Sequence, residues 1–496
     1  MISTPPTVHG LLDEATADAP QRPALVTEDI SWTYGELAAR TRRTAAWLHA
    51  RGVRRGDRVL VLAPNSAELV CVCYGISRAG AAFVVVNSDT KAFQLRHIVA
   101  DAEPALVLTD RADRVPAEVG VPCATLGEAA AGTDGEPPEW PGISADPACL
   151  IYTSGSTAAP KGVVSPHRTL RFAVGAIADR LGLRANDRIG CLLPLSFDYG
   201  LYQVFLAAQA RATLVLGDPA QVGPGLPGWL ERAEVSVLPL VPSLASALLR
   251  LRGRAGAGTL PRLRAITNTG ARLAPETIDE LRAAFAGVAV YAMFGLTECK
   301  RVSILDPAEL DSRRGSVGRP LPDTECLVVD EDGRPLPPGE TGELVVRGPH
   351  LMAGYWRAPE QTARRFRPWG PAAETVLFTG DLCALDEDGY LYFRGRFDDV
   401  YKSRGYRVST LEVEAAALDI AGVAEAAVVP PDGDTDGARL FVTGTADAAT
   451  VLAGLRERLE PAKVPDGVRV LKQLPLNTNR KVDRHRLRAL DEEAVR

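Results

Sequence analysis

Methionine and histidine are scarce in this 496-residue chain: three Met and six His leave little material for a metal-rich centre. The eight Cys, at positions 71, 73, 123, 149, 191, 299, 326 and 383, are scattered. Only Cys71 and Cys73 lie close together, and their C-V-C spacing is not that of a zinc site. They read as reduced, mostly buried thiols. Basic charge is not in excess either. A formal net charge of −6 and a pI of 5.7 argue against a nucleic-acid binder, which needs a basic surface to neutralise phosphates. No segment reaches the roughly 18 uninterrupted apolar residues of a membrane span. The opening MISTPPTVHGLLDEA has neither a basic n-region nor an apolar core, so no signal peptide is expected and the location expected is cytoplasmic. What remains is ordinary globular material, 46% hydrophobic and 24% charged. At about 150 residues per domain, the length suggests two to four domains.

The first half alternates strand-like and helix-like segments. Arg58–Leu62, Ala82–Val86 and Ala105–Leu108 are apolar runs separated by helical patterns, with Ser66 poised to cap the helix after the first. The rhythm returns at Ala212–Leu216, a helix near Pro227–Ala233, and Val235–Val241. Continuous apolar strands point to parallel βαβ units covered on both faces. From about residue 320, Asp/Gly turn chemistry links Glu325–Val329 to Glu343–Arg347, and Cys383–Leu385 to Tyr390–Arg394, as antiparallel hairpins. A compact α+β block follows, with helices at Thr410–Leu418 and Ala449–Leu459 and strands near Glu425–Val429, Leu440–Thr443 and Val468–Leu471.

Leu150–Val164 reads LIYTSGSTAAPKGVV: a short strand entering a loop of Ser, Thr and Gly that ends on Lys161. Small residues let the backbone approach an anion, hydroxyls and amides donate to it, and the lysine adds charge. The Walker A order is absent. A solvated Ser/Thr/Gly loop is the plain alternative, but the preceding strand and the Pro-Lys-Gly that follows favour a triphosphate cradle.

TSGSTAAPKG resembles the phosphate-loop signature of the adenylate-forming superfamily, which includes acyl-CoA synthetases, firefly luciferase and the adenylation domains of nonribosomal peptide synthetases. Five further motifs are similar to those of that superfamily and follow in its order: Phe294–Glu298 (FGLTE), Gly342–Trp356 (GELVVRGPHLMAGYW), Phe378–Leu382 (FTGDL), Gly395–Ser409 (GRFDDVYKSRGYRVS) and Pro475–Arg484 (PLNTNRKVDR). The resemblance covers almost the whole chain. It implies a large N-terminal α/β domain over residues 1–397, of layered sheets and helices with a β-hairpin or barrel-like part. A small mobile α+β lid would cover residues 398–496, hinged at Asp398.

The same resemblance implies roles. Thr153, Ser154, Gly155, Ser156, Thr157 and Lys161 would wrap the β- and γ-phosphates of ATP. Glu298 would hold Mg²⁺, while Thr297 and Gly295 would lie at the α-phosphate. Asp381 and Arg396 would take the ribose, and Lys481 would bridge substrate carboxylate, ribose oxygen and α-phosphate. Two positions depart from the superfamily, where Gly is usual: Ala158 in the phosphate loop and Arg480 before Lys481. Arg480 either alters the approach of Lys481 or adds a second positive charge.

The acid pocket is read from LPLSFDYGLYQ, Leu193–Gln203. Phe197-Asp198 is similar to the amino-acid-activating members, in which the aspartate meets the substrate ammonium; the alternative is that Asp198 caps a helix beginning near Tyr199. Tyr199, Tyr202, Ser243, Thr269, Gly270, Met293 and Arg301 are further pocket candidates. Lys300 and Arg301 would bind a second substrate carboxylate, an ATP phosphate or an acidic surface, and Lys300 reads as a solvated or ion-paired lysine. With no carrier-protein block in the sequence, the expectation is a free-standing ligase. It would load an amino acid (α, proline-like or β-amino) onto the phosphopantetheine thiol of a separate acyl or peptidyl carrier protein in natural-product biosynthesis. The alternative is an AMP-forming CoA ligase for a fatty, aryl or other organic acid.

Overall fold

The computed structural model describes residues 7–90, 92–115, 120–137, 142–153, 160–218, 223–252, 260–396, 400–403, 406–431, 437–459, 463–477 and 480–495. Ser154, Gly155, Ser156, Thr157, Ala158 and Asp398 therefore lie outside the described residues. The chain divides into two compact units. One comprises Met1–Cys326 and Val346–Phe378, the other Leu327–Val345 and Thr379–Arg496.

The first unit holds two βαβ-built sheets. In the six-stranded one, Cys123–Ala124, Leu106–Leu108, Arg58–Leu62, Ala82–Val86 and Pro147–Thr153 are parallel neighbours, and Lys161–Pro166 closes the edge antiparallel to Pro147–Thr153. Its middle strands are almost wholly apolar, as suits a sheet covered by helices on both faces. Leu60, Leu62, Val84, Val86, Val107 and Leu150 pack with Leu95, Ile98 and Val99 from the Ala92–Ala102 helix. Ser66 caps the Ala67–Arg78 helix as expected, accepting the Leu69 amide at 3.1 Å.

In the nine-stranded sheet, Ala289–Phe294, Ala265–Asn268, Val237–Leu240, Arg188–Cys191, Thr213–Leu216 and Pro23–Val26 run parallel in that spatial order. Four adjacent strands thus release their chains at one carboxyl edge, where open α/β sheets bind ligands. Gly295–Glu298, Thr269–Gly270 and Leu193–Asp198 follow three of these strands, Ser243 lies just past the fourth, and Met293 is the last residue but one of its strand.

The opposite edge is clamped by Asp187, which is 2% exposed. Its carboxylate accepts from Arg264 Nε at 2.7 Å, Ser236 Oγ at 2.9 Å and the Arg184 amide at 2.7 Å. Asp187, Ser236 and Arg264 each immediately precede one strand of this sheet, so one carboxylate fixes the start of three.

In the second unit, Thr410–Leu418, Ala448–Arg458 and Arg484–Val495 are helices, and Val423–Val429, Arg439–Gly444 and Gly467–Val470 form a three-stranded sheet. Val413, Ala417, Val428, Leu440, Val442, Val451 and Leu455 make its core. No helix among the described residues is long and apolar enough to cross a membrane.

Burial pushes the Asp187 pKa up, but Arg264, the Arg184 amide and Ser236 outweigh it and the net shift is downward. A carboxyl whose folded pKa lies below its unfolded value of about 3.9 adds stability that is complete above that value and is lost as pH falls through the folded one. Asp187→Asn is expected to cost roughly 2–4 kcal/mol at pH 7, since it strips the Arg264 guanidinium of its partner. Urea unfolding followed across pH should show the gap from wild type closing below about pH 4.

Candidate active site

In the first unit the phosphate-loop hairpin is set by the antiparallel pairing of Pro147–Thr153 with Lys161–Pro166, which places Thr153 opposite Lys161. The outer edge of Lys161–Pro166 is taken by the Gly354–Trp356 segment. Val164 N donates to the Gly354 carbonyl at 2.9 Å, Trp356 N to the Gly162 carbonyl at 2.7 Å, and Ala353 N to the Val164 carbonyl at 3.0 Å. This ladder brings Tyr355 over the loop's exit. Lys161 Nζ lies 5.7 Å from the Tyr355 ring centroid, and the Tyr355 hydroxyl donates to Glu298 Oε1 at 2.7 Å. Met352 N also donates to the Glu298 carbonyl at 2.8 Å. Lys161 and Glu298, 137 positions apart in the chain by their numbering, thus meet through one tyrosine. Tyr355 lies within a superfamily motif, yet the sequence alone assigns it no role. A lone Tyr in a Gly-Tyr-Trp run carries no spacing signal toward a distant glutamate.

Gly295 and Thr297 occupy the turn between Ala289–Phe294 and Ser303–Ile304. A Cβ at Gly295 would come within 1.9 Å of the Lys300 carbonyl oxygen, so only glycine permits this fold-back. Glu298 lies inside the turn, partly buried. One carboxylate with its second oxygen unclaimed by Tyr355 suits Mg²⁺, which takes few protein ligands when phosphates supply the others.

The acid pocket candidates gather on the Asp198–Ala210 helix and the strand ends facing it. Phe197, not Asp198, is the N-cap residue, and no side chain caps the helix. Asp198 is its first residue, so its carboxylate is not used as the cap. The Tyr199 hydroxyl is 2.8 Å from the Thr267 carbonyl, and Phe197 packs edge-on against the Tyr199 ring with centroids 6.3 Å apart. Burial pushes the Tyr199 and Tyr202 phenols upward, so both stay protonated. The Tyr202 hydroxyl has no hydrogen-bond partner among the described residues. Met293 is buried, while Ser243 and Gly270 are partly exposed, Gly270 in the left-handed region at φ 84°.

Lys300 departs from the reading as a solvated or ion-paired lysine. It is 4% exposed, and Arg301 is 6% exposed. The cause is the turn: Lys300 takes φ 58°, and its Nζ lies 5.6 Å from the Tyr202 ring centroid. The Arg301 guanidinium carbon lies 5.6 Å from the Tyr199 ring centroid, and its terminal nitrogen donates to Thr269 Oγ1. Burial lowers the Arg301 pKa, against the opposing pull of Tyr199 and Asp198.

In the second unit, Asp381 and Arg396 are cross-strand partners on Glu374–Leu385 and Leu391–Arg396. Asp381 is 2% exposed, and its Oδ1 is 3.5 Å from Arg396 Nε. Lys481 sits in a tight turn. Asn477 N donates to the Lys481 carbonyl at 2.7 Å, and Lys481 N to Asn477 Oδ1 at 2.9 Å. Arg480 takes φ 57° there, a conformation that costs a non-glycine residue about 1 kcal/mol.

All eight cysteines are free, and all but Cys123 are buried. Burial pushes the Cys71 and Cys149 thiols up to about 11, which removes them as nucleophiles at neutral pH.

Residues 12–356 match the model of the AMP-binding enzyme family, and residues 412–481 that of the AMP-binding enzyme C-terminal domain. Isonitrile lipopeptide synthase of Streptomyces coeruleorubidus is 34% identical over 97% of this chain, which spans 33% of that protein's length. Among solved structures, VinN in complex with L-aspartate is 42% identical, covers 78% of this chain and 98% of its own, and has a TM-score of 0.71. O-succinylbenzoate coenzyme A synthetase of Bacillus subtilis, in complex with ATP and magnesium, is 28% identical over 96% of this chain and 99% of its own, with a TM-score of 0.84. The order of the motifs, the strand-edge geometry and these similarities agree, and the chain belongs to the AMP-binding enzyme family.

Proposed function

We propose that this enzyme adenylates an amino acid with ATP and transfers it to the phosphopantetheine thiol of a carrier protein. The observation that carries the reading is Asp198, a carboxylate at the carboxyl edge of the large sheet that is not spent on capping its own helix. It is available to a substrate ammonium as a charge-assisted partner. The similarity to a structure holding L-aspartate, and to a lipopeptide synthase, supports the same class.

A substrate carboxylate oxygen attacks the α-phosphorus of ATP in line, and pyrophosphate leaves. No enzyme nucleophile takes part; positioning and charge stabilisation carry the step. Thr153, Lys161 and the loop between them hold the β- and γ-phosphates, and Thr297 and Gly295 meet the α-phosphate. Mg²⁺, held by Glu298, would neutralise phosphate charge. The Tyr355 hydroxyl fixes the Glu298 carboxylate by occupying one of its oxygens. Asp381 accepts from the ribose hydroxyls while Arg396 orients it. Lys481 offsets the charge that builds at the α-phosphate. The carrier thiol then attacks the acyl carbon and AMP departs. Between the halves the C-terminal part turns about Asp398, withdrawing Lys481.

A CoA ligase for an organic acid is the second reading, favoured by the likeness to O-succinylbenzoate coenzyme A synthetase. Assay with free CoA against a holo-carrier protein separates the two.

ATP–pyrophosphate exchange should require an amino acid and be abolished by Asp198→Ala; exchange unchanged in that variant overturns the assignment. Lys481→Ala should lower exchange by roughly 10²–10³-fold with no change in melting temperature, because its turn is held by backbone groups and Asn477. Tyr355→Phe should cost about tenfold in kcat, read with rising Mg²⁺ to test whether added metal offsets the loss.

A further inference from the structure

Two adjacent cations, both buried and with no carboxylate within ion-pairing distance among the described residues, are an unusual thing for a folded protein to keep. Lys300 and Arg301 are each at least nine-tenths buried. Lys300 Nζ and Arg301 Nε have no hydrogen-bond partner, and neither side chain makes an ion pair among the described residues. Such charges are costly to bury unless something arrives to pair with them. Lys300 is also held at φ 58°, where glycine or asparagine would be easier. A lysine kept there at a backbone cost points to its side chain.

Their neighbours indicate what they meet. Lys300 faces Tyr202 and Arg301 faces Tyr199, both on the first turns of the helix that begins with Asp198. The triphosphate lysine, Lys161, faces a different aromatic, Tyr355. The pair therefore belongs to the acid pocket and not to the phosphate loop. The charge balance is then specific. A substrate ammonium would satisfy Asp198, and the carboxylate undergoing adenylation is drawn to the α-phosphate. Two cations would still face the substrate.

We infer that the acid activated is an amino acid with a second carboxylate, which docks on Lys300 Nζ and Arg301 Nε beside the unpartnered Tyr202 hydroxyl. This rests on the amino-acid reading above and narrows it to aspartate- or glutamate-like substrates.

The test is ATP–pyrophosphate exchange with wild-type enzyme on L-aspartate, L-glutamate, their amides, β-alanine, and acetate and benzoate. An acidic amino acid should exceed its amide at least 100-fold in kcat/KM. Preference for an amide or β-alanine overturns this inference and leaves amino-acid activation standing; exchange with acetate or benzoate alone overturns both. Lys300→Met and Arg301→Met should each lose about 100-fold on the acidic substrate, mainly through KM, and narrow its lead over the amide. An unchanged ratio overturns the inference. Without substrate both variants should melt at or above the wild-type temperature, because each removes an unpaired buried charge. Added aspartate or glutamate should raise the wild-type melting temperature and leave that of Lys300→Met unmoved. A shift equal in both counts against it.

Discussion

The chemistry of the first unit depends on the ladder between Lys161–Pro166 and Gly354–Trp356. Each of its backbone hydrogen bonds contributes about 0.5–1.5 kcal/mol net, a modest sum. Their geometric effect is larger. They fix Tyr355 between a lysine and a glutamate that come from different sheets, so the lysine proposed for the triphosphate and the carboxylate suited to a metal ion share one rigid support. Positioning is what the proposed adenylation needs, and here it is built from main-chain groups that tolerate little drift.

The large sheet does the same for the proposed acid pocket. Four neighbouring parallel strands end together, so residues far apart in the chain emerge in one row without long loops to hold them. Asp187 fixes the other ends of three of its strands, and register set at one edge is transmitted to the other. The Cys71 and Cys149 thiols, pushed up by burial, fit a centre that needs no covalent intermediate.

Much of this was legible in the residues. Mostly apolar, β-branched runs such as Arg58–Leu62 and Ala82–Val86, bounded by turn residues, suit a strand covered on both faces, and they form strands with those bounds. Thr410–Leu418 is a helix over the expected span. Lys300 was not legible. Two adjacent cations after a glutamate read as a solvated stretch, because nothing in their identity announces that the backbone turns left-handed and carries them inward. Tyr355 was hidden for a related reason: its importance lies in a cross-strand neighbour, and pairing partners are set by the fold. Asp198 looked like a helix cap because Asp caps well, yet the helix starts one residue earlier than that role requires.

The fold-back between Gly295 and Lys300 has a consequence for descent. The backbone at Lys300 would relax if glycine or asparagine replaced it, and in the proposed role the demand of a charged ligand resists that drift. A descendant freed from this demand has a downhill route to a neutral pocket. Gly295, pressed against the facing carbonyl, admits no such change, and one short turn therefore joins a position free to evolve to one that is not.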